Sequence, residues 1–167
     1  MNRYERQEIL PEVGVAGQGR LRAARVLVVG AGGLAATVLP LLTAAGVGRI
    51  TLVDGDRVEQ SNLHRQTLFS EADQGRFKAE VAAARCRALN SEIAVAGLSQ
   101  VLTAENAQAL VAQADVVLDC ADSYAASYIL SDTCLAQHKP LISASVLGFS
   151  GYVGGFCGGA PSLRALF

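Results

Sequence analysis

An α/β fold, with a Rossmann-like, doubly wound, mainly parallel sheet and helices on both faces, is predicted by three features of the sequence. Short β-branched runs alternate with helical stretches from Arg25 onward, the pattern of parallel strands joined by crossover helices. A glycine-rich turn, Gly30-Ala31-Gly32-Gly33, follows the first of these runs and opens the first long helix. Acidic residues gather where later runs end, at Asp54 and Asp56 and again at Asp119 and Asp122.

The elements follow in order. Residues 25–29 read as the first strand, 30–35 as a turn, and 36–45 as a helix stopped by Gly46 and Gly48. Residues 49–54 form the second strand. A helix with alanine-rich and basic faces spans 75–90, a third strand 93–98, and another helix 104–113. Residues 115–120 are a buried fourth strand. The helix at 124–137 ends before Pro140, and 141–145 is the fifth strand. The expected organisation is a single nucleotide-binding domain: an arm at 1–24, a Rossmann-like core at 25–147 and a glycine-rich tail at 148–167. Right-handed crossovers put ligands at the carboxyl ends of such strands.

Composition narrows the function. With 167 residues, 51% of them apolar, the chain can close one core without disulfides or metals. The 14 basic and 15 acidic residues leave a net charge of -1, without the basic excess that a phosphate backbone demands, so no nucleic-acid partner is expected. The first ten residues mix charges and lack the apolar core of a signal peptide, which predicts a cytoplasmic protein. Residues 26–48 carry no charge and are long enough to span a bilayer, but Gly30, Gly32, Gly33, Pro40, Gly46 and Gly48 break them into strand, turn and helix. No membrane segment is expected. Cys86, Cys120, Cys134 and Cys157 are scattered without a C-x-x-C pair and read as small buried hydrophobes, not zinc ligands.

The glycine turn suits a nucleotide, because it brings phosphate or ribose close to the backbone and to a helix N-terminus. Asp54, about twenty residues further on, can accept hydrogen bonds from ribose hydroxyls. These features fit NAD and ATP equally. The next segments, Ser61-Asn62-Leu63-His64-Arg65-Gln66 and Gly75-Arg76-Phe77-Lys78, separate the two. Arg65 or Lys78 alone reads as an ordinary solvated charge. Two cations just after the ribose carboxylate match a triphosphate better than a dinucleotide.

The residues resemble the ThiF/MoeB/HesA family of ubiquitin-activator-like adenylating enzymes. Arg3-Tyr4-Glu5-Arg6-Gln7 resembles its R-Y-x-R-Q opening, Gly30 to Ala35 its G-x-G-G-x-G loop, and Asp54-Gly55-Asp56 its D-x-D. Ser61 to Gln66 is similar to S-N-L-x-R-Q, Gly75 to Lys78 to G-x-x-K, and Asp119 to Asp122 to D-C-x-D. Pro140 to Ser145 with Gly148-Phe149 leans toward the ThiF side, which serves thiamine biosynthesis.

The resemblance implies ATP-dependent adenylation, with Mg2+, of the C-terminal glycine of a small ubiquitin-fold sulfur carrier of ThiS or MoaD type ending in Gly-Gly. It implies nucleotide contacts from Gly30, Gly32, Gly33, Asp54, Asp56, Ser61, Asn62, Arg65, Lys78, Asp122 and Ser123. Asp54 would bind ribose, Asn62, Arg65 and Lys78 the triphosphate, and Asp122 the magnesium. Arg6 would complete the site of the other subunit in a homodimer.

Departures from the family pattern carry expectations of their own. Ala35 replaces the last loop glycine, and Ser123 stands where asparagine is usual beside Asp122. Ser162 and Ala165 replace the first pair of zinc cysteines, so no zinc is expected. The second cysteine pair and the segment that clamps the partner's tail would lie beyond Phe167, which predicts an incomplete tail groove. Two rival readings follow: a nucleotide- or partner-binding relative without turnover, and an NAD-dependent oxidoreductase resting on the glycine loop and Asp54 alone.

Overall fold

The structure, a computed structural model, describes residues 2–167. Its elements in chain order are α1 (Glu5–Glu8), α2 (Gly14–Ala23), β1 (Arg25–Val29), α3 (Gly33–Ala45), β2 (Arg49–Val53), α4 (Lys78–Leu89), β3 (Ala94–Leu98), α5 (Ala104–Ala112), β4 (Val116–Asp119), α6 (Tyr124–Ala136), β5 (Pro140–Leu147) and β6 (Ser150–Cys157). The strands form one sheet in the order β3-β2-β1-β4-β5-β6. The first five pair in parallel, and β6 returns antiparallel along the whole of β5.

Alternation along β1 explains the two cores. Val26 and Val28 point to one face and pack with Leu39, Leu52 and Val81 beneath α3 and α4. Leu27 and Val29 point to the other and pack with Val111, Val117, Leu130 and Leu141 beneath α5 and α6. A central parallel strand buried on both faces reads as a continuous apolar run. Ala35 is fully buried in the first core, where a small residue lets α3 approach the sheet.

Three features differ from the sequence expectation. Helix α3 begins at Gly33 rather than at residue 36, so the last part of the glycine turn is already helical. Within 1–24 the chain forms α1 and α2, although Gly14, Gly17 and Gly19 weaken helix propensity there. Tertiary contacts compensate: Tyr4 is buried, its hydroxyl accepts a 2.8 Å bond from Asn90 Nδ2, and Gln18 Nε2 donates to the Ala45 carbonyl at 3.0 Å. The glycine-rich tail contains β6, whose Gly151, Gly154 and Gly155 hide it from propensity but whose backbone pairs with β5.

The far end of α3 is sealed by this amino-terminal arm. Gly46 closes the helix at φ 84, with Gly46 N–H bonded to the Thr43 carbonyl and Val47 N–H to the Leu42 carbonyl. A Cβ at Gly46 would meet the Tyr4 ring at 2.5 Å. No helix among the described residues is long and apolar enough to cross a membrane.

Candidate functional site

A cleft of about 650 Å3 opens at the carboxyl ends of β1 and β4, where the strand order reverses. It is lined by Gly30, Gly32, Gly33, Asp54, Asp56, Arg65, Lys78, Asp122 and Ser123, so most of the sequence-selected residues converge there. Its size falls in the roughly 300–1,000 Å3 range of small-molecule sites. A smaller hollow of about 400 Å3 at the opposite end of the sheet is lined by Arg25, Leu27, Arg49 and Ala96, and none of the motif residues enters it.

The loop glycines divide their work. Gly30 has φ +92, and a Cβ there would lie 2.5 Å from the Cys120 carbonyl oxygen. Its lack of a side chain allows close contact between the β1–α3 and β4–α6 loops. Gly32 and Gly33 are different. A Cβ at Gly32 would come no nearer than 3.9 Å to Gln66 Nε2, and one at Gly33 only within 3.5 Å of the Arg65 carbonyl. These two glycines leave the N-terminus of α3, with its unpaired N–H groups, open to the cleft.

Asp54 fastens that loop. Its Oδ2 accepts the Ala31 N–H at 2.6 Å and its Oδ1 accepts the Asp56 N–H at 2.7 Å. Each oxygen retains a lone pair for a ribose hydroxyl. Asp56 in turn holds Lys78: Lys78 Nζ donates to Asp56 Oδ2 at 3.0 Å, and Lys78 N–H donates to the Asp56 carbonyl at 2.9 Å. A continuous chain of hydrogen bonds thus runs from the glycine loop to the buried lysine at the start of α4.

Arg65 is exposed, with its stem beside Gly33 and one long 3.3 Å bond from Nη1 to the Ser61 carbonyl. Its guanidinium keeps donors for an anion. Ser61 and Asn62 occupy a short 3-10 turn at the rim and do not line the cleft; Ser61 Oγ bonds Glu59, and Asn62 Nδ2 bonds Ser61 Oγ, each at 3.3 Å.

Across the cleft, the Asp122 carboxylate is exposed and accepts no hydrogen bond among the described residues. Ser123 Oγ accepts the Ala126 N–H at 3.3 Å and caps α6, a task that asparagine performs equally well. The residues fit Mg2+ in one mode only. No cluster of three or more His, Cys, Asp or Glu side chains suited to a metal occurs among the described residues. Mg2+ commonly needs only one or two protein carboxylates when phosphates supply the rest. Asp122 would hold the ion on that basis, as neutraliser of phosphate charge.

Arg6 stands apart. It is exposed on α1, and α1 follows Tyr4, which packs on Gly46 at the far end of α3. The 13 residues of α3 separate that end from Gly33, roughly 20 Å at 1.5 Å per residue. Arg6 does not reach the cleft of its own chain.

Sequence reasoning missed several lining residues. Gln66 is buried with Oε1 unpartnered, an orphaned polar atom at the cleft wall. It was visible as the last residue of the Ser61 to Gln66 motif. Gln100, Val101 and Leu102 line the site from the loop after β3, and Ser145 and Val146 from the end of β5. The carboxyl-end rule, applied to those two strands as well, finds them. Cys120 also lines the cleft, but burial and then the Asp119 charge push its thiol up to about 12, which leaves it protonated and a poor nucleophile.

Known proteins share this sequence pattern and this fold. Bovine "Adenylyltransferase and sulfurtransferase MOCS3" is 48% identical over 168 aligned positions, covering 100% of this chain and 37% of that protein. The Thermus thermophilus "Sulfur carrier protein adenylyltransferase" is 46% identical over 156 positions, covering 93% of this chain and 58% of that protein. The chain therefore spans about a third to just over half the length of these relatives. Among solved structures, E. coli MccB with AMPCPP and MccA superposes with a TM-score of 0.85 at 30% identity, over 95% of this chain and 49% of that one. E. coli MccB with ATP superposes with a TM-score of 0.79 at 31% identity, over 91% of this chain and 48% of that one. The ThiF family model matches residues 4–167. With most of the selected site residues lining one cleft and the family model matching almost its entire length, the chain belongs to the ThiF family.

Proposed function

We propose that this chain carries the ATP-binding and adenylating half of an enzyme that activates the C-terminal glycine of a small ubiquitin-fold sulfur carrier, of ThiS or MoaD type, ending in Gly-Gly. The observation that carries the reading is the distribution of charge across one cleft: Arg65 and Lys78 beside the open N-terminus of α3, and the free Asp122 carboxylate opposite. A dinucleotide would leave that wall partly unpaired, whereas a triphosphate with a divalent ion would use all of it. The naming of the Thermus relative as a sulfur carrier adenylyltransferase supports the substrate class.

In this reading Asp54 orients the ribose, and Arg65, Lys78 and the α3 N–H groups hold the phosphates, with Asn62 reaching in from the rim. A carrier carboxylate oxygen attacks the α-phosphorus, an acyl–phosphate bond forms, the α–β phosphoanhydride bond breaks, and pyrophosphate leaves. No protein nucleophile is required, because positioning and charge neutralisation supply the rate. Mg2+, when bound, lowers the charge on the leaving pyrophosphate. Arg6 belongs to the partner's cleft in a homodimer, and the proposed setting is cytoplasmic.

ATP–pyrophosphate exchange, measured with carriers ending in Gly-Gly and paired with calorimetry of ATP·Mg2+ and NAD, tests the proposal. Exchange dependent on carrier supports it. Tight NAD binding without ATP binding overturns it in favour of an oxidoreductase, and ATP binding without exchange favours a relative without turnover.

A further inference from the structure

Asp119 is the last residue of β4 and only 1% exposed, yet none of its hydrogen-bond partners carries a charge. Its Oδ2 accepts the Ser143 hydroxyl at 2.8 Å from the neighbouring strand, and its Oδ1 accepts the Ala121 N–H at 3.2 Å. Ser143 is fully buried and pairs with Asp119 across the β4–β5 register. Its single hydroxyl proton is committed to Asp119, so the 3.3 Å contact with the Tyr152 hydroxyl has Tyr152 as donor. Tyr152 lies on β6, and its ring stacks on Phe167 at 5.1 Å. Hydrogen bonds therefore converge on Asp119 from two sides, from β6 through Ser143 of β5 and from the backbone of the β4–α6 loop.

Burying a carboxylate without a cation costs several kcal/mol, so a residue kept there has to return something. An apolar side chain would fill a strand end at lower cost but would leave the Ala121 N–H and the Ser143 hydroxyl unpaired. The same loop is pressed from the other side, where Gly30 lies against the Cys120 carbonyl. Asp122, one residue beyond Ala121, makes no bond of its own among the described residues, so its place in the cleft depends on how this short segment is held.

We propose that Asp119 is a positioning residue: it fixes the β4–α6 loop so that Asp122 faces the nucleotide cleft, and it ties that loop through Ser143 and Tyr152 to the β5–β6 hairpin. The loop-fixing role stands by itself, and its consequence for magnesium rests on the adenylation reading above.

Asp119→Asn, Ser143→Ala and Tyr152→Phe test it, since none of the three positions lines the cleft. Amide hydrogen exchange is followed at Ala121 in the nucleotide-free protein. ATP affinity is measured by calorimetry with Mg2+ and with chelator. Loss of one hydrogen bond corresponds to about a tenfold change. Asp119→Asn and Ser143→Ala are expected to speed exchange at Ala121, whose N–H is held by Asp119, about tenfold relative to Gly30, whose N–H is held by the Val53 carbonyl, with Tyr152→Phe showing a smaller effect of the same sign. They are expected to lose about tenfold of the magnesium-dependent gain in ATP affinity, while affinity in chelator stays within about twofold. Exchange at Ala121 unchanged in folded Asp119→Asn and Ser143→Ala overturns the proposal. If Asp119→Asn does not fold, Ser143→Ala decides alone. Wild-type protein that binds no ATP counts against the adenylation reading, and the exchange measurement still decides the role of Asp119.

Discussion

Lys78 and Asp56 form an ion pair of unequal partners: Nζ and Oδ2 are 3.0 Å apart, with the lysine side chain 9% exposed and the aspartate side chain 70% exposed. The buried member is a cation at the first position of α4, where the helix dipole is unfavourable to positive charge. Asp56 supplies the missing counter-charge, and it does so from a position that solvent or a phosphate can take over.

Asp56→Asn is therefore expected to destabilise the nucleotide-free protein by about 1 kcal/mol, well below the 3–5 kcal/mol of a fully buried pair, because water screens the exposed partner. Saturating ATP·Mg2+ should shrink the difference, since phosphate replaces the lost carboxylate. Lys78→Met should instead weaken ATP binding about 10- to 100-fold, the worth of one charge-assisted hydrogen bond. Thermal unfolding with and without nucleotide reads the first effect and calorimetry the second. A destabilisation of Asp56→Asn that ATP does not reduce would show that Lys78 never leaves Asp56.

Gly30→Ala is expected to cost about 2–4 kcal/mol, combining strain at φ +92 with collision against the Cys120 carbonyl. Gly33→Ala meets only ordinary contacts and should leave unfolding within about 0.5 kcal/mol of wild type. Denaturant titration of the two variants separates the glycine that packs from the glycine that opens the cleft.

Asp73 gives the protein an acid limit. A hydrogen bond from the Ser70 hydroxyl, aided by the Ser70 N–H and Arg85, holds its carboxyl at about 2, below the usual carboxylate range. The folded value is the lower one, so the stabilisation is complete above about pH 4 and is lost as pH falls toward 2. Asp73→Asn should be less stable than wild type by roughly 1–2 kcal/mol at neutral pH. Denaturant titrations at a series of pH values should show the gap closing between pH 4 and 2, and a gap independent of pH would contradict the assignment.

The cysteines are expected to be inert. Cys120 and Cys134 are both pushed up to about 12, chiefly by burial. A thiol reagent at neutral pH should modify them only on unfolding, and replacing all four should leave most of any exchange activity. Elemental analysis should find no stoichiometric zinc, because Ser162 and Ala165 offer no thiolate. About one zinc per chain retained after dialysis would reverse that reading.

Arg6 and Asp122 invite a complementation test. If Arg6 acts across a two-fold interface, Arg6→Ala and Asp122→Ala are each inactive alone. After subunit exchange, half the dimers are hybrids with one intact site, which restores about a quarter of wild-type activity. Verified hybrids that recover nothing, in a preparation whose wild type exchanges pyrophosphate, would confine Arg6 to its own surface.

Much of this was legible in the sequence, for a physical reason. Strands such as β1 and β4 are buried on both faces, so composition alone exposes them, and the carboxyl-end rule then locates Gly30, Asp54 and Asp122. What escaped depends on partners distant in the chain. Helix α2 holds through Gln18 against Ala45, and β6 exists because β5 lies beside it. The true reason for Gly30 lies in Cys120. The pairing of Lys78 with Asp56 was equally hidden, since each residue alone looks ready for a ligand.

The outer edge of β6 has a practical consequence for handling these residues in the laboratory. It is the last strand of the sheet, and Val146, Leu147, Phe149 and Val153 of the hairpin are all exposed. A terminal strand offers a row of unsatisfied backbone groups to any similar edge, and adjacent greasy side chains strengthen the contact. Gly151, Gly154 and Gly155 blunt the template by depriving it of cross-strand side chains. A purified sample should accordingly self-associate as its concentration rises, and Val153→Lys should reduce that association.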